Sequence, residues 1–164
     1  MNFLIIFLAA LVPMILGFIW YNPKVFGNAW MQASGMTDEK IKSGNMVLIF
    51  GLSFLFSLML AIILQTLVIH QSHLNSIIMN EPGFKEGTGE AWQMAQDFMS
   101  KYGTNFRTFQ HGMVHGLIAG FFIALPILAT NALFERKGFK YIAVNAGYWI
   151  LTLGIMGGII CQWA

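Results

Sequence analysis

The sequence reads as an all-α, polytopic membrane protein. Four transmembrane helices form one bundle, with a short interfacial helix in the first loop and an amphipathic helix in the longer second loop. Three observations lead there. Hydrophobic residues make up 57% of the 164-residue chain and charged residues only 10%, against about 45–50% and about 25% in ordinary soluble domains. The nine basic and seven acidic residues are confined to three windows, 24–42, 81–107 and 135–140. The uncharged runs 1–23, 43–80, 108–134 and 141–164 are each long enough to cross a bilayer, because about 20 apolar residues at about 1.5 Å each traverse about 30 Å of hydrocarbon.

The expected spans, taken in order, are about 3–21, 46–69, 109–133 and 141–163, within a single membrane domain over 1–164. The first run has no lysine or arginine ahead of its apolar stretch and is interrupted by Pro13, so it is expected to stay as a span rather than act as a signal peptide. The second run holds one span only, because its tail from Gln71 to Asn80 is polar. In the first loop, Phe26, Trp30 and Met31 suit a helix lying at the interface. The outer loop, 71–107, contains Gly83, Gly87 and Gly89, then Trp92, Ala95, Phe98, Met99 and Tyr102 at helical spacing, which predicts an amphipathic helix over 90–102. The prolines Pro13 and Pro126 are expected to kink the first and third helices.

Orientation follows from lysine and arginine. The first and third loops carry Lys24, Lys40, Lys42, Arg136, Lys137 and Lys140, and the second carries Lys85, Lys101 and Arg107. The positive-inside rule puts loops one and three in the cytoplasm and both termini outside the cell membrane.

The composition excludes a soluble enzyme, a disordered chain and, with Cys161 as the single cysteine, a disulfide scaffold. A net charge of +2 spread over scattered lysines is no nucleic-acid footprint. No span contains Asp, Glu, Lys or Arg, which weighs against a proton-coupled carrier. No serine–histidine–acid set, phosphate-binding loop or paired carboxylate stands out.

Three groups of residues carry the remaining signals. Gly112, Gly116 and Gly120 recur every four residues and share a face of the third helix. Gly147, Gly154 and Gly158 mark the fourth helix, so a close third–fourth helix contact is expected, since packing in lipid relies on close backbone approach. At the inner face lies a polar and aromatic hub: Trp20, Tyr21 and Asn22 closing the first helix, Asn131 and Glu135 closing the third, and Asn145, Tyr148 and Trp149 opening the fourth. Asn131 and Asn145 are expected to pair with each other, with Tyr148 or with a kinked backbone, because an unpaired amide at membrane depth is costly. At the outer face, His70 and His73 are expected to end the second helix and His111 and His115 to open the third. This histidine cluster, with Cys161 at a similar depth, could offer nitrogens to a transition metal. Hydrogen bonding to the outer loop explains the same residues without an ion, and no metal and no cofactor are expected.

The segments Gly-x-x-Trp-Tyr-x-Pro-x-x-Phe-Gly-x-x-Trp (17–30), Asn-x-x-Phe-Glu (131–135) and Asn-x-Gly-Tyr-Trp (145–149) resemble the domain of unknown function 1761 family, small bacterial membrane proteins with four spans. The resemblance covers nearly the whole chain. It implies the membrane fold and brings no activity or catalytic residue with it. The outer loop 71–107 looks like an elaboration of the family's minimal layout.

The functional expectation is a non-enzymatic membrane protein that works by helix–helix association, as a homo-oligomer or as an accessory subunit of a larger membrane complex, with the lipid bilayer as its surroundings. An oligomeric pathway for a small solute or ion is the alternative. A metal-dependent membrane enzyme using the outer histidines is a weaker one.

Overall fold

A computed structural model describes residues 2–164. The elements in chain order are α1 (Phe3–Trp20), a π-helical turn (Pro23–Gly27), α2 (Asn28–Ser34), α3 (Asp38–Lys42), α4 (Met46–Val68), α5 (Gln71–Ile78), α6 (Glu90–Tyr102), α7 (Phe109–Ala119), a second π-helical turn (Gly120–Ala124), α8 (Leu125–Phe134) and α9 (Phe139–Trp163). There is no strand among the described residues. Four helical stretches are long and apolar enough to cross a membrane: α1, α4, Phe109–Phe134 and α9. They coincide with the expected spans to within one residue at all but one boundary. That boundary is the start of the fourth span, where Phe139 and Lys140 already lie in α9.

Side-chain capping fixes several of these starts. Thr37 accepts from Lys40 N at α3, Asn45 Oδ1 from Leu48 N at α4, and Thr108 Oγ1 from His111 N at α7. Each satisfies one of the amide groups that a helix leaves unpaired in its first turn. At the end of α2, Gly35 adopts φ +76°, and its N–H bonds back to Met31 O, closing the helix through the left-handed region that glycine enters at no steric cost.

The helix α9 is the centre of the bundle. About 61% of its apolar window is buried, against 17–22% for the other three spans, and it packs on α1, α2, α4, α7 and α8. The core beneath it joins Ile6, Ala9 and Ala10 of α1, Ala61, Leu64 and Val68 of α4, and Leu153, Met156 and Ile160 of α9. The buried hydroxyls of Ser57 and Thr152 donate to Ser53 O and Tyr148 O in their own helices, both at 2.7 Å.

The expected glycine contact forms at Gly154 and Gly158, but Gly147 faces Trp20 of the first helix instead; the contact is tighter than spacing alone implies. A Cβ built on Gly112 would meet Gly157 O and Cys161 Cβ, and one on Gly116 would meet Leu153 O. On Gly120 it would lie 2.5 Å from Ile150 Cα, and on Gly157 2.5 Å from Gly112 O. Gly154 and Gly158 receive Leu117 and Phe109. The two backbones touch, so the glycine face is filled by the chain's own fourth helix.

Loops one and three meet at the same end. Lys137 Nζ donates to Ser34 O at 2.6 Å, a carbonyl at the C-terminus of α2, and Lys140 Nζ donates to Gln32 Oε1 at 3.2 Å. A cation is favourable at a helix C-terminus, where the last carbonyls are unpaired. At the other end, α5 and α6 pack on each other. Their contact buries Ala95 and half-buries Trp92 and Met99, while Phe98 and Tyr102 of the same stripe stay exposed. The amphipathic helix is therefore present, and it rests on α5, an element that the polar tail 71–80 did not advertise.

Candidate functional site: a histidine trio and an aromatic lock

Two constellations sit at opposite ends of the bundle. The aromatic end is built from the two segments at the close of α1 and the opening of α9, and they interlock reciprocally. Gly17 makes room for Tyr148, whose hydroxyl would stand 3.3 Å from a Cβ there, and Gly147 makes room for Trp20 at 3.2 Å. The Tyr148 hydroxyl donates to Pro13 O at 2.7 Å, Trp20 Nε1 donates to Val144 O at 3.1 Å, and the Tyr21 hydroxyl donates to Asn145 Oδ1 at 3.0 Å. The Asn145 amide nitrogen donates in turn to Tyr141 O at 2.8 Å. Asn22 caps the first π-helical turn, its Oδ1 accepting from Lys24 N at 2.9 Å. Trp149 stacks edge-on to Tyr148 at 5.1 Å between ring centroids.

Asn131 and Glu135 do not join this lock. Both are exposed, and of the partners expected from the sequence (each other, Tyr148 or a kinked backbone) Asn145 takes neither Asn131 nor Tyr148 but bonds Tyr21 and the Tyr141 carbonyl. The cause is the π-helical turn at Gly120–Ala124, just ahead of Pro126. Eleven residues of α-helix make about three turns, so Asn131 would share the face of Gly120. A π-helical turn carries one extra residue and rotates everything beyond it by about 100°. Ala132, one position further on, takes the inward place and is 1% exposed.

The histidine end is built differently. Corrected against the sequence expectation, the second span stops at Val68; His70 lies in the break before α5, and His73 lies on α5 itself. His111 and His115 do open the third span. Because Gly112 and Gly116 lock onto α9, the residue before each is turned by about 100° along the helix surface. That turn brings His111 and His115 to His70. The imidazole centroids of His70, His111 and His115 stand 4.5–5.1 Å apart. His70 Nε2 and His115 Nε2 approach to 3.2 Å, and one ligand nitrogen from each of the three rings lies within 4.8 Å of the others. Partial desolvation by the packed neighbouring rings, then the charges of His115 and His73, hold the His70 imidazole below the usual histidine range.

Two buried polar atoms among the described residues have no hydrogen-bond partner, His111 Nε2 and Gln65 Oε1. Gln65 is in the last turn of α4, so both lie toward this end. Cys161, at a similar depth, is buried and outside the trio; its thiol donates to Val68 O and Phe106 O at 3.3 and 3.4 Å. Arg107, ahead of α7, binds the backbone oxygens of Cys161 and Ala164, which ties the entry of the third helix to the last turn of α9. Nothing in the sequence pattern marked His70 as closer to His115 than His73 is; only the break after Val68 decides it.

The fold and these two ends define a four-helix membrane bundle. The chain belongs to the family described as protein of unknown function (DUF1761), which it matches over residues 4–161. No curated protein and no solved structure matches it. The reciprocal fit of Gly17 with Tyr148 and of Gly147 with Trp20 gives the first and last of the resembling segments a physical meaning.

Proposed function

We propose that the protein is a non-catalytic integral membrane protein of the bacterial cytoplasmic membrane, with both termini outside, that works by helix association with a second copy of itself. The excess of lysine and arginine in loops one and three supports the orientation. The observation that carries the association is a cleft. The helix α4 packs on α1, α9 and α7, while α8 packs on α9. Between the diverging walls opens an apolar space of about 470 Å³, lined by Leu60, Ile63 and Leu67 of α4, by Ile123 and Ile127 of the third span, and by Trp149.

Ala119 and Ala124 also line this space, which allows close backbone approach. Ile123 and Ile127 are 50% and 57% exposed, so they form both a wall of the cleft and a ridge beside it. A two-fold axis brings the ridge of each copy into the cleft of the other, and packing of this kind drives association in lipid. The glycine face cannot serve that purpose, because α9 fills it.

Cross-linking in native membranes tests the reading, in a Cys161→Ser background. Ile127→Cys is expected to give a disulfide-linked dimer, and Phe18→Cys, 82% exposed on α1, is expected to give none. If Ile127→Cys stays monomeric under oxidation, lipid fills the cleft and the reading is overturned.

A further inference from the structure

We propose that His70, His111 and His115 form a binding site for one divalent transition-metal ion, of which zinc is the best fit, with a fourth coordination position open to water or an added ligand. Three features of the geometry support it. Three imidazoles, one from the break after the second span and two from the start of the third span, converge at the same end, with ligand nitrogens within 4.8 Å of one another. In a tetrahedral zinc site, Zn–N bonds of about 2.0–2.1 Å place the nitrogens about 3.3 Å apart. The His70–His115 pair already stands at 3.2 Å. That leaves His111 Nε2, which is buried and unpartnered. A single cation supplies what this nitrogen lacks, and it satisfies the other two lone pairs at once.

A hydrogen bond can serve only one pair here. Two neutral imidazoles share one N–H between them, and the third is left with nothing. The donor set also selects the ion. Three neutral ring nitrogens suit zinc, cobalt, nickel or copper, whereas calcium and magnesium require oxygen. The open side follows from burial: His111 and His115 are half-buried, and His70 is exposed. The Phe106 ring, 5.3 Å from that of His111, flanks the site with an apolar wall. His73 is outside the set, and the Cys161 thiol is engaged with two carbonyls.

The ion would join the end of α4 to the start of α7. The test uses protein purified without a histidine tag, stripped with chelator and titrated with zinc by calorimetry and with cobalt by visible absorption. The wild type is expected to take up one ion per chain and to give the ligand-field band of tetrahedral cobalt. His115→Ala and His70→Ala are each expected to weaken zinc at least about 100-fold, beyond the 10–100-fold that loss of an outer-shell partner costs. His73→Ala is expected to bind like the wild type. The exposed His70 lies outside the spans, so His70→Ala keeps the fold and decides the matter where His115→Ala does not. Sub-stoichiometric uptake by the wild type, unchanged affinity in His70→Ala, or an equal loss in His73→Ala would each overturn the site.

Discussion

At the aromatic end, Trp20, Tyr21, Asn145 and Tyr148 all have hydrogen-bond partners within the chain. At the histidine end, a ring nitrogen of His111 and the amide oxygen of Gln65 have none. The difference is instructive because both ends join helices distant in sequence. The lock between α1 and α9 is complete as the chain folds. Trp20 and Tyr148 each have a glycine opposite, and each polar tip has a carbonyl or amide within reach. The trio between α4 and α7 is preorganised but incomplete, since its nitrogens face one another. A buried polar group without a partner costs about 1–3 kcal/mol. One end stabilises the bundle from within, and the other is arranged for something the chain does not supply.

The largest expected effect comes from the seam that orients the histidines. Gly116→Ala puts a Cβ against Leu153 O and Gly154 Cα, both backbone, so α7 and α9 must separate. Overpacking typically costs about 1–3 kcal/mol and occasionally more, and this contact belongs at the upper end. Unfolding in detergent should show a loss of about 3 kcal/mol, and zinc uptake should weaken with it. A mild change would mean that the two ends are less coupled than the shared glycine face implies.

An intermediate effect is expected at the lock. Tyr148→Phe removes the hydroxyl that reaches Pro13 O at 2.7 Å while keeping the ring that Gly17 accommodates. Interhelical hydrogen bonds in membranes average about 0.6 kcal/mol, with a maximum near about 1.7, so a loss in that range should appear in detergent unfolding. No loss would show that the ring, not the hydroxyl, holds α1 to α9.

The smallest effect is a contrast. Asn145→Ala breaks the bond to Tyr21 and should cost about 0.6 kcal/mol, whereas Asn131→Ala, at an exposed position, should leave stability unchanged. Equal losses in paired unfolding measurements would return Asn131 to the lock and contradict the rotation assigned to the π-helical turn.

The sequence by itself determined the four spans, the interfacial and amphipathic helices and the face on which the glycines lie. These follow from local and cumulative properties: uncharged length against bilayer thickness, and a period of 3.6 residues. It also brought the aromatic segments 17–21 and 145–149 to one level, because the charged loops they border, one and three, lie at the same end. The tertiary structure alone decided two things. The extra residue of the turn at Gly120–Ala124 rotated Asn131 outward and Ala132 inward, which no straight helical projection contains. The break after Val68 gave His70 rather than His73 to the pair on the third span, because where a helix stops under a packed loop depends on contacts between segments distant along the chain.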